Sequence, residues 1–301
     1  MFMKRVFLSL VLMCACAVLA TAQEGFVDGV QMTTVKAPWV LRIVGQDLDM
    51  GDVKAKPDEA SAYFMMTSDA TKLNVSVFVE PVSKCKSAEA CRDYVLGLGN
   101  PAWGTYQDLA KGKIGDASYF EFYRPEIQGH PVKMLDMYAE FVQDGYWIDM
   151  HISKVLYEKK DHPLFETVVN SSKFLPKTEK QTSPFDSQLA QAQSSTTSWL
   201  LLWDTQKCAE SFTAMSSITR SENTQDSWVD YCKKFNGLLG PNTSRKLIGS
   251  ALTTSLSPKT GRPLAILAYQ SDFKNHRSIV EILALMLEKD GKWTVTNYEP
   301  H

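Results

Sequence analysis

In the last quarter of the chain, apolar and polar residues fall into four runs, 243–256, 263–273, 278–289 and 292–299. Alternation with period two puts every second side chain on one face, so each run predicts a β-strand. The connections are short: 257–261, 274–276 and Asp290-Gly291. An Asp-Gly pair between apolar runs predicts a tight hairpin, because both turn residues must tolerate positive φ. From 187 to 240 the pattern becomes helical. Its clearest part carries Trp228, Tyr231, Cys232, Phe235, Leu238 and Leu239 on one helical face, with Asn223 as predicted N-cap, Asp226 in the first turn and Gly240-Pro241 as the stop. Three helices followed by a four-stranded meander predict an α+β unit whose helices cover one face of the sheet.

The first half predicts strands at 39–44, 62–67 and 73–80, a helix at 87–98, strands at 117–123, 132–142 and 146–155, and a helix at 161–174. Leu73, Val75, Val77 and Val79 alternate with Asn74, Ser76, Phe78 and Glu80, giving one apolar and one mixed face. Leu135, Met137, Ala139 and Phe141 form a second apolar face. Ser87 is placed to cap the first helix, with Ala90, Tyr94 and Val95 toward the core, and Asp161 to cap the second. Residues 24–36 read as a poorly ordered lead-in, and the polar stretch 176–186 as a linker. The expectation is a two-domain α+β protein, with an antiparallel sheet and packed helices over 24–175 and helices plus meander over 187–301.

The N-terminus adds a destination. Lys4 and Arg5 precede the apolar run 6–19, and Ala20-Thr21-Ala22 fits a small-x-small cleavage site. This predicts a signal peptide over 1–22 and a periplasmic or secreted chain, with lipid attachment at Cys16 as the alternative. A retained membrane anchor is a further alternative, but neither this run nor any other reaches the roughly 20 residues of a membrane span. A net charge of −2 argues against nucleic acid as partner.

Cleavage would leave Cys85, Cys91, Cys208 and Cys232, which allow three pairings. Two early and two late favour one bridge in each half. Cys208 shares a helical face with Phe212 and Met215, and Cys232 lies between Trp228 and Phe235 on its own helix. Both thiols point into one helix–helix seam, predicting Cys208–Cys232 and leaving Cys85–Cys91. Neither pair has zinc-ligand spacing.

An ordered set of residues carries a family resemblance: Trp199-Leu200, Asp204, Ser211-Phe212, Ser227-Trp228, Leu239-Gly240, Ser244-Arg245, Leu247, Phe273-Lys274-Asn275, Val280-Glu281 and Asp290-Gly291-Lys292-Trp293. With these, the span from about 198 to 298 resembles the bacterial family called domain of unknown function 4019, although Cys208 stands where that family usually has Tyr. The resemblance implies architecture without an activity. The helices-plus-meander order is similar to the NTF2-like cone, and the element order of the first half resembles the Mog1/PsbP-like fold.

Catalytic signatures are scarce. Ser83 and Lys86 fit S-x-x-K and Lys259-Thr260-Gly261 fits K-T-G, but they fall in different predicted domains without an S-D-N, so coincidence accounts for them. Asp149 and His151 share a strand face, where they could orient an imidazole, bind a metal or form a plain surface pair. Glu281 interrupts an apolar face with Ile279, Leu283 and Leu285. A carboxylate there must be paired or open to a cavity. Arg245 is the candidate ion-pair partner, and Tyr269 and Trp293 are the candidate neighbours in a pocket. The sequence therefore predicts an exported, non-catalytic binding or accessory protein for a small molecule or an envelope protein, without cofactor or metal. The alternative is a small-molecule enzyme built around Glu281.

Overall fold

A computed structural model of the chain describes residues 29–44, 47–56, 60–99, 103–177, 184–253 and 261–301. The expected signal peptide with Cys16, most of the expected linker, and Lys259-Thr260 lie outside them.

Two seven-stranded antiparallel sheets organise the chain. The first contains β1 (Gly29–Thr34), β2 (Trp39–Val44), β10 (Ser172–Pro176) and the meander β11 (Asn242–Thr253), β12 (Leu264–Phe273), β13 (Ile279–Leu287) and β14 (Trp293–Pro300), in the order β10-β2-β1-β11-β12-β13-β14. The second contains β3 (Asp49–Ala55), β4 (Ala62–Thr67), β5 (Leu73–Pro81), β6 (Gln107–Ile114), β7 (Ala117–Ile127), β8 (His130–Gln143) and β9 (Tyr146–Lys154), in the order β3-β4-β5-β9-β8-β7-β6. The helices are α1 (Ala88–Leu98), α2 (His162–Ser171), α3 (Pro184–Asp204), α4 (Cys208–Thr213), α5 (Ser217–Glu222) and α6 (Gln225–Leu239).

The first sheet runs across the boundary expected at 176–186. Residues 29–34, expected as a lead-in, form β1, which pairs Val30 with Thr253 and Thr34 with Gly249. The polar positions Gln31, Thr33 and Thr34 hide this strand from a periodicity reading, yet it is covered on both faces. The strands β3, β6 and β10 were likewise not predicted. In β10, residues 172–174, expected as the end of the second helix, turn extended with 175–176 to pair with β2.

Apolar alternation explains how the sheets stack. Met32, Leu41, Ile43, Ile248, Ala251, Ile266 and Ala268 from the first sheet share one core with Phe64, Met66, Val75, Val77, Met137, Ala139, Ile148 and Met150 from the second, completed by Phe165, Val168 and Val169 of α2. The sheets meet closely where Gly249 faces Ala55: a Cβ added to Gly249 would stand 3.3 Å from the Ala55 Cβ. The far face of the first sheet (Leu252, Ala265, Leu267, Leu283, Leu285, Val295) packs on Trp199, Leu200 and Trp203 of α3 and on Phe212 and Cys232. The far face of the second sheet carries Phe120, Phe122 and Tyr138 beneath α1.

Several local expectations shift. Ser87 caps α1 through Ala90 N, but Cys91 is the buried residue and Ala90 is exposed. Asp161 makes no side-chain cap to α2 and accepts instead from Glu158 N at 2.9 Å. A fourth helix, α5, ends at Asn223, so Thr224 caps α6, and Leu238 is exposed on it. Only Gly291 of the Asp290-Gly291 turn has positive φ, whereas Asp144 and Gly145 of the β8–β9 turn both do.

Among the described residues Cys85–Cys91 and Cys208–Cys232 form disulfides, with Cα separations of 4.9 and 5.8 Å. The second pins the start of α4 to α6. Replacing both Cys208 and Cys232 with Ser should lower unfolding free energy by about 3 kcal/mol, the loop-closure contribution expected for a loop of this size. Urea unfolding measures it; an unchanged midpoint would show that the bridge contributes nothing.

Candidate functional site

Two groups of buried carboxylates differ in how they are satisfied. The first centres on Glu281, which β13 points toward the helices. It is fully buried. Arg245 of β11 holds it with two bonds, Nε to Oε2 at 2.6 Å and NH2 to Oε1 at 3.0 Å. The same guanidinium holds Asp204, at the end of α3, at 2.7 and 3.0 Å. Tyr298 donates its hydroxyl to Glu281 Oε1 at 2.6 Å, and Ser271 donates to Oε2.

Burial works against the Arg245 charge, but the bonds to Asp204 and Glu281 outweigh it and raise its pKa. Burial, then the Glu281 charge, raises the Tyr298 pKa. Tyr269 stands beside Glu281 in the register, and burial pushes its hydroxyl up to about 12. Trp293 does not join the group: it pairs with Leu287, at the other end of β13. Tyr298 occupies the place expected for it, which its position near the end of the last predicted strand could have suggested. Trp203, 4.5 Å from the Tyr298 ring, fills the adjoining space.

Several of the residues that carry the family resemblance lie around this group, whereas Asp290 to Trp293 lie at the other end of β13. Trp199 donates to Ser211 O at 3.0 Å, Trp228 donates to Ser211 Oγ at 3.0 Å, and Asn275 ties the end of α6 through Leu238 O and Leu239 O. Asp204, Arg245 and Glu281 then clamp α3 to the sheet. Both carboxylate oxygens of Glu281 are engaged in this clamp.

The second group lies on the face of the second sheet beneath α1. Asp149 and His151 both point to that face, but they are not paired. His151 Nε2 bonds Asp136 Oδ1 at 2.8 Å, and Arg124 grips Asp136 at 2.6 and 2.8 Å. Tyr138 stacks on the His151 ring at 4.3 Å and accepts from Trp103 Nε1 at 2.9 Å. Asp149 stands opposite Glu140 in the β8–β9 register. Glu140 is fully buried; its Oε2 accepts from Trp147 Nε1 at 2.6 Å, while its Oε1 and Asp149 Oδ1 are buried with no partner among the described residues.

Burial, then the neighbouring Asp149 charge, raises Glu140 well above the carboxylate range, and burial pushes Asp149 up to about 6. Beside them is a cavity of about 380 Å³ lined by Phe78, Trp103, Tyr138 and Trp147, by Glu80, Asp149 and His151, and by Val95, Leu98 and Gly99 at the end of α1. Sequence reasoning found Asp149 and His151 but missed Glu140, which alternation with Ala139 and Phe141 places on the mixed face.

Residues 195–298 match the family described as "Protein of unknown function (DUF4019)". No curated protein matches the chain. Among solved structures, the chain is similar to the solution structure of cyanobacterial PsbP (CyanoP) from Synechocystis sp. PCC 6803, at 16% identity over 49% of this chain and 93% of that one, TM-score 0.34. It is also similar to a crystal structure from Bacteroides thetaiotaomicron VPI-5482, at 9% identity over 82% of this chain and 87% of that one, TM-score 0.35.

Two predictions separate the groups. Glu281→Gln and Arg245→Met should each cost about 3–5 kcal/mol, as expected for breaking a buried pair, and the double mutant should lose less than their sum. Additive losses in urea unfolding would contradict the clamp. Asp149→Asn should do the reverse. The Asp149 pKa is raised in the folded state from 3.8 to about 6. Its burial penalty is therefore absent below the unfolded pKa, grows as pH rises between the two values, and is complete above the folded one. Asp149→Asn should stabilise by on the order of 3 kcal/mol at pH 7 and by almost nothing at pH 3.5. Equal effects at both pH values would contradict the assignment.

Proposed function

We propose that the protein is an exported, non-catalytic accessory protein that binds a small molecule in the cavity beneath α1. The cavity itself carries this reading: four aromatic side chains and three ionisable groups line one concave space on a rigid sheet, the composition of a small-ligand site. Catalysis around Glu281 lacks comparable support, because that carboxylate is buried and its oxygens are engaged. In the same reading, α3–α6 over β11–β14 form a cone of the NTF2-like kind whose interior is filled by Trp199, Trp203 and Tyr298.

Export follows from Lys4, Arg5, the apolar run 6–19 and Ala20-Thr21-Ala22, with the two disulfides supporting an oxidising compartment. Among the described residues no helix is long and apolar enough to cross a membrane. The chain isolated from the cell envelope or medium should begin at Gln23 by mass spectrometry; a lipid on Cys16 or an intact Met1 would contradict cleavage after Ala22.

A thermal-shift screen against soluble metabolites tests the binding reading. A ligand at 100 times its Kd should stabilise by about 2.7 kcal/mol. Leu98, 64% exposed at the cavity rim, can be enlarged without disturbing the core. Leu98→Trp should abolish the shift while leaving the free protein's melting temperature unchanged. No shift with any compound, or a shift that survives Leu98→Trp, would overturn the reading.

A further inference from the structure

The chemistry of the cavity wall narrows the ligand class. Its lining holds the acids Glu80 and Asp149 and the imidazole of His151, and among the described residues that line it there is neither lysine nor arginine. The nearest guanidinium, Arg124, is gripped by Asp136, and Asp136 also takes the His151 Nε2. The basic groups behind the wall are thus engaged with a carboxylate of their own. Of the other acids, Glu140 and Asp149 are engaged only in part. Asp149 lines the cavity, and behind the wall its buried Oδ1 and the Oε1 of the fully buried Glu140 have no hydrogen-bond partner among the described residues.

A buried acceptor without a donor is costly, and more so when it is charged, so it marks a place where a donor is expected. The rest of the wall is aromatic. Trp103 and Tyr138 are fixed in place, one by the hydrogen bond between them and the other by stacking on His151. Trp147 is fixed through Glu140, and Phe78, 48% exposed, stands at the mouth. Aromatic faces carry partial negative charge and attract cations. Both halves of the wall therefore favour positive charge on a body with apolar surface. Among the described residues no group of three or more His, Cys, Asp or Glu side chains is placed to hold a metal ion, which favours an organic cation.

We propose, resting on the binding reading above, that this cavity takes a small organic ammonium ion. Its charge would sit against Asp149 and Glu80 and its carbon skeleton against Trp103, Tyr138, Trp147 and Phe78. A cation there would offset the negative charge that Glu80 and Asp149 bring to the wall, and burial has already pushed the Asp149 carboxyl up.

The test uses the mature chain with choline and benzylamine as probes, and their uncharged counterparts 3,3-dimethylbutan-1-ol and benzyl alcohol as controls. Titration is followed by calorimetry and by quenching of tryptophan fluorescence. At least one ammonium probe should bind at least ten-fold more tightly than its uncharged counterpart. Asp149→Asn should remove that preference while melting no lower than the parent at pH 7, which separates lost recognition from lost folding. Glu80→Gln, at a partly exposed position, should weaken the same probe to a smaller degree. Equal binding of charged and uncharged partners would overturn the cation assignment and keep the binding site. A metabolite hit in the thermal screen, blocked by Leu98→Trp but carrying no positive charge, would do the same. Failure of both probes, with no hit in that screen, would overturn the cation assignment and the binding reading together.

Discussion

The antiparallel pairing of β1 with β11 is the contact on which the architecture depends. Val30 to Thr34 lie opposite Thr253 to Gly249, near the middle of a sheet that otherwise consists of the N-terminal pair β1–β2 with β10 and the C-terminal meander. It joins segments more than two hundred residues apart. That single register places Met32, Leu41 and Ile43 beside Ile248, Ala251 and Ile266, and so forms the face against which the second sheet packs. Trp39, whose indole donates to Gln143 O at the β8–β9 turn, ties the sheets again at one edge. Ordering this contact costs loop-closure entropy that only a large shared core can offset.

Given that frame, the buried carboxylates are governed by one rule: a buried charge is stable when it is paired and hydrogen-bonded, and costly otherwise. Glu281 obeys it. Arginine, tyrosine and serine side chains close around it, and its geometry serves to lock α3 onto β11, β13 and β14. Glu140 and Asp149 obey it only in part. They face each other across β8–β9 with one oxygen each unpartnered among the described residues, and burial raises both. Structures keep such arrangements at functional sites, and this one adjoins an aromatic-lined cavity.

The sequence displayed these features unevenly. The meander, the hairpin at Gly145, the capping of α1 by Ser87 and the Cys208–Cys232 bridge all follow from local pattern, and all are present. Arg245 as the partner of Glu281 was legible because an acid on an apolar strand demands a base within reach. β1 was not legible: Gln31, Thr33 and Thr34 break its alternation, and its stability comes from neighbours far away in sequence. The cavity was also hidden. Its lining comes from β5, α1, the start of the segment after it, β8 and β9, and no local pattern announces that Phe78, Trp103 and Asp149 meet. The expected Asp149–His151 pair fails for a similar reason, since Asp136 on the adjacent strand reaches the imidazole.

Glu140 and Asp149 are buried acids beside an open cavity, each with one oxygen unpartnered among the described residues, while Glu281 is satisfied and closed. Carboxyl-carbon NMR, followed from pH 3 to 8 with assignments from Asp149→Asn and Glu140→Gln, separates the two acids from solvated ones. Burial should put the Asp149 midpoint at about 6 and the Glu140 midpoint well above the ordinary carboxylate value. Midpoints for both near the values of free carboxyls, about 4, would show solvated surface acids and contradict it.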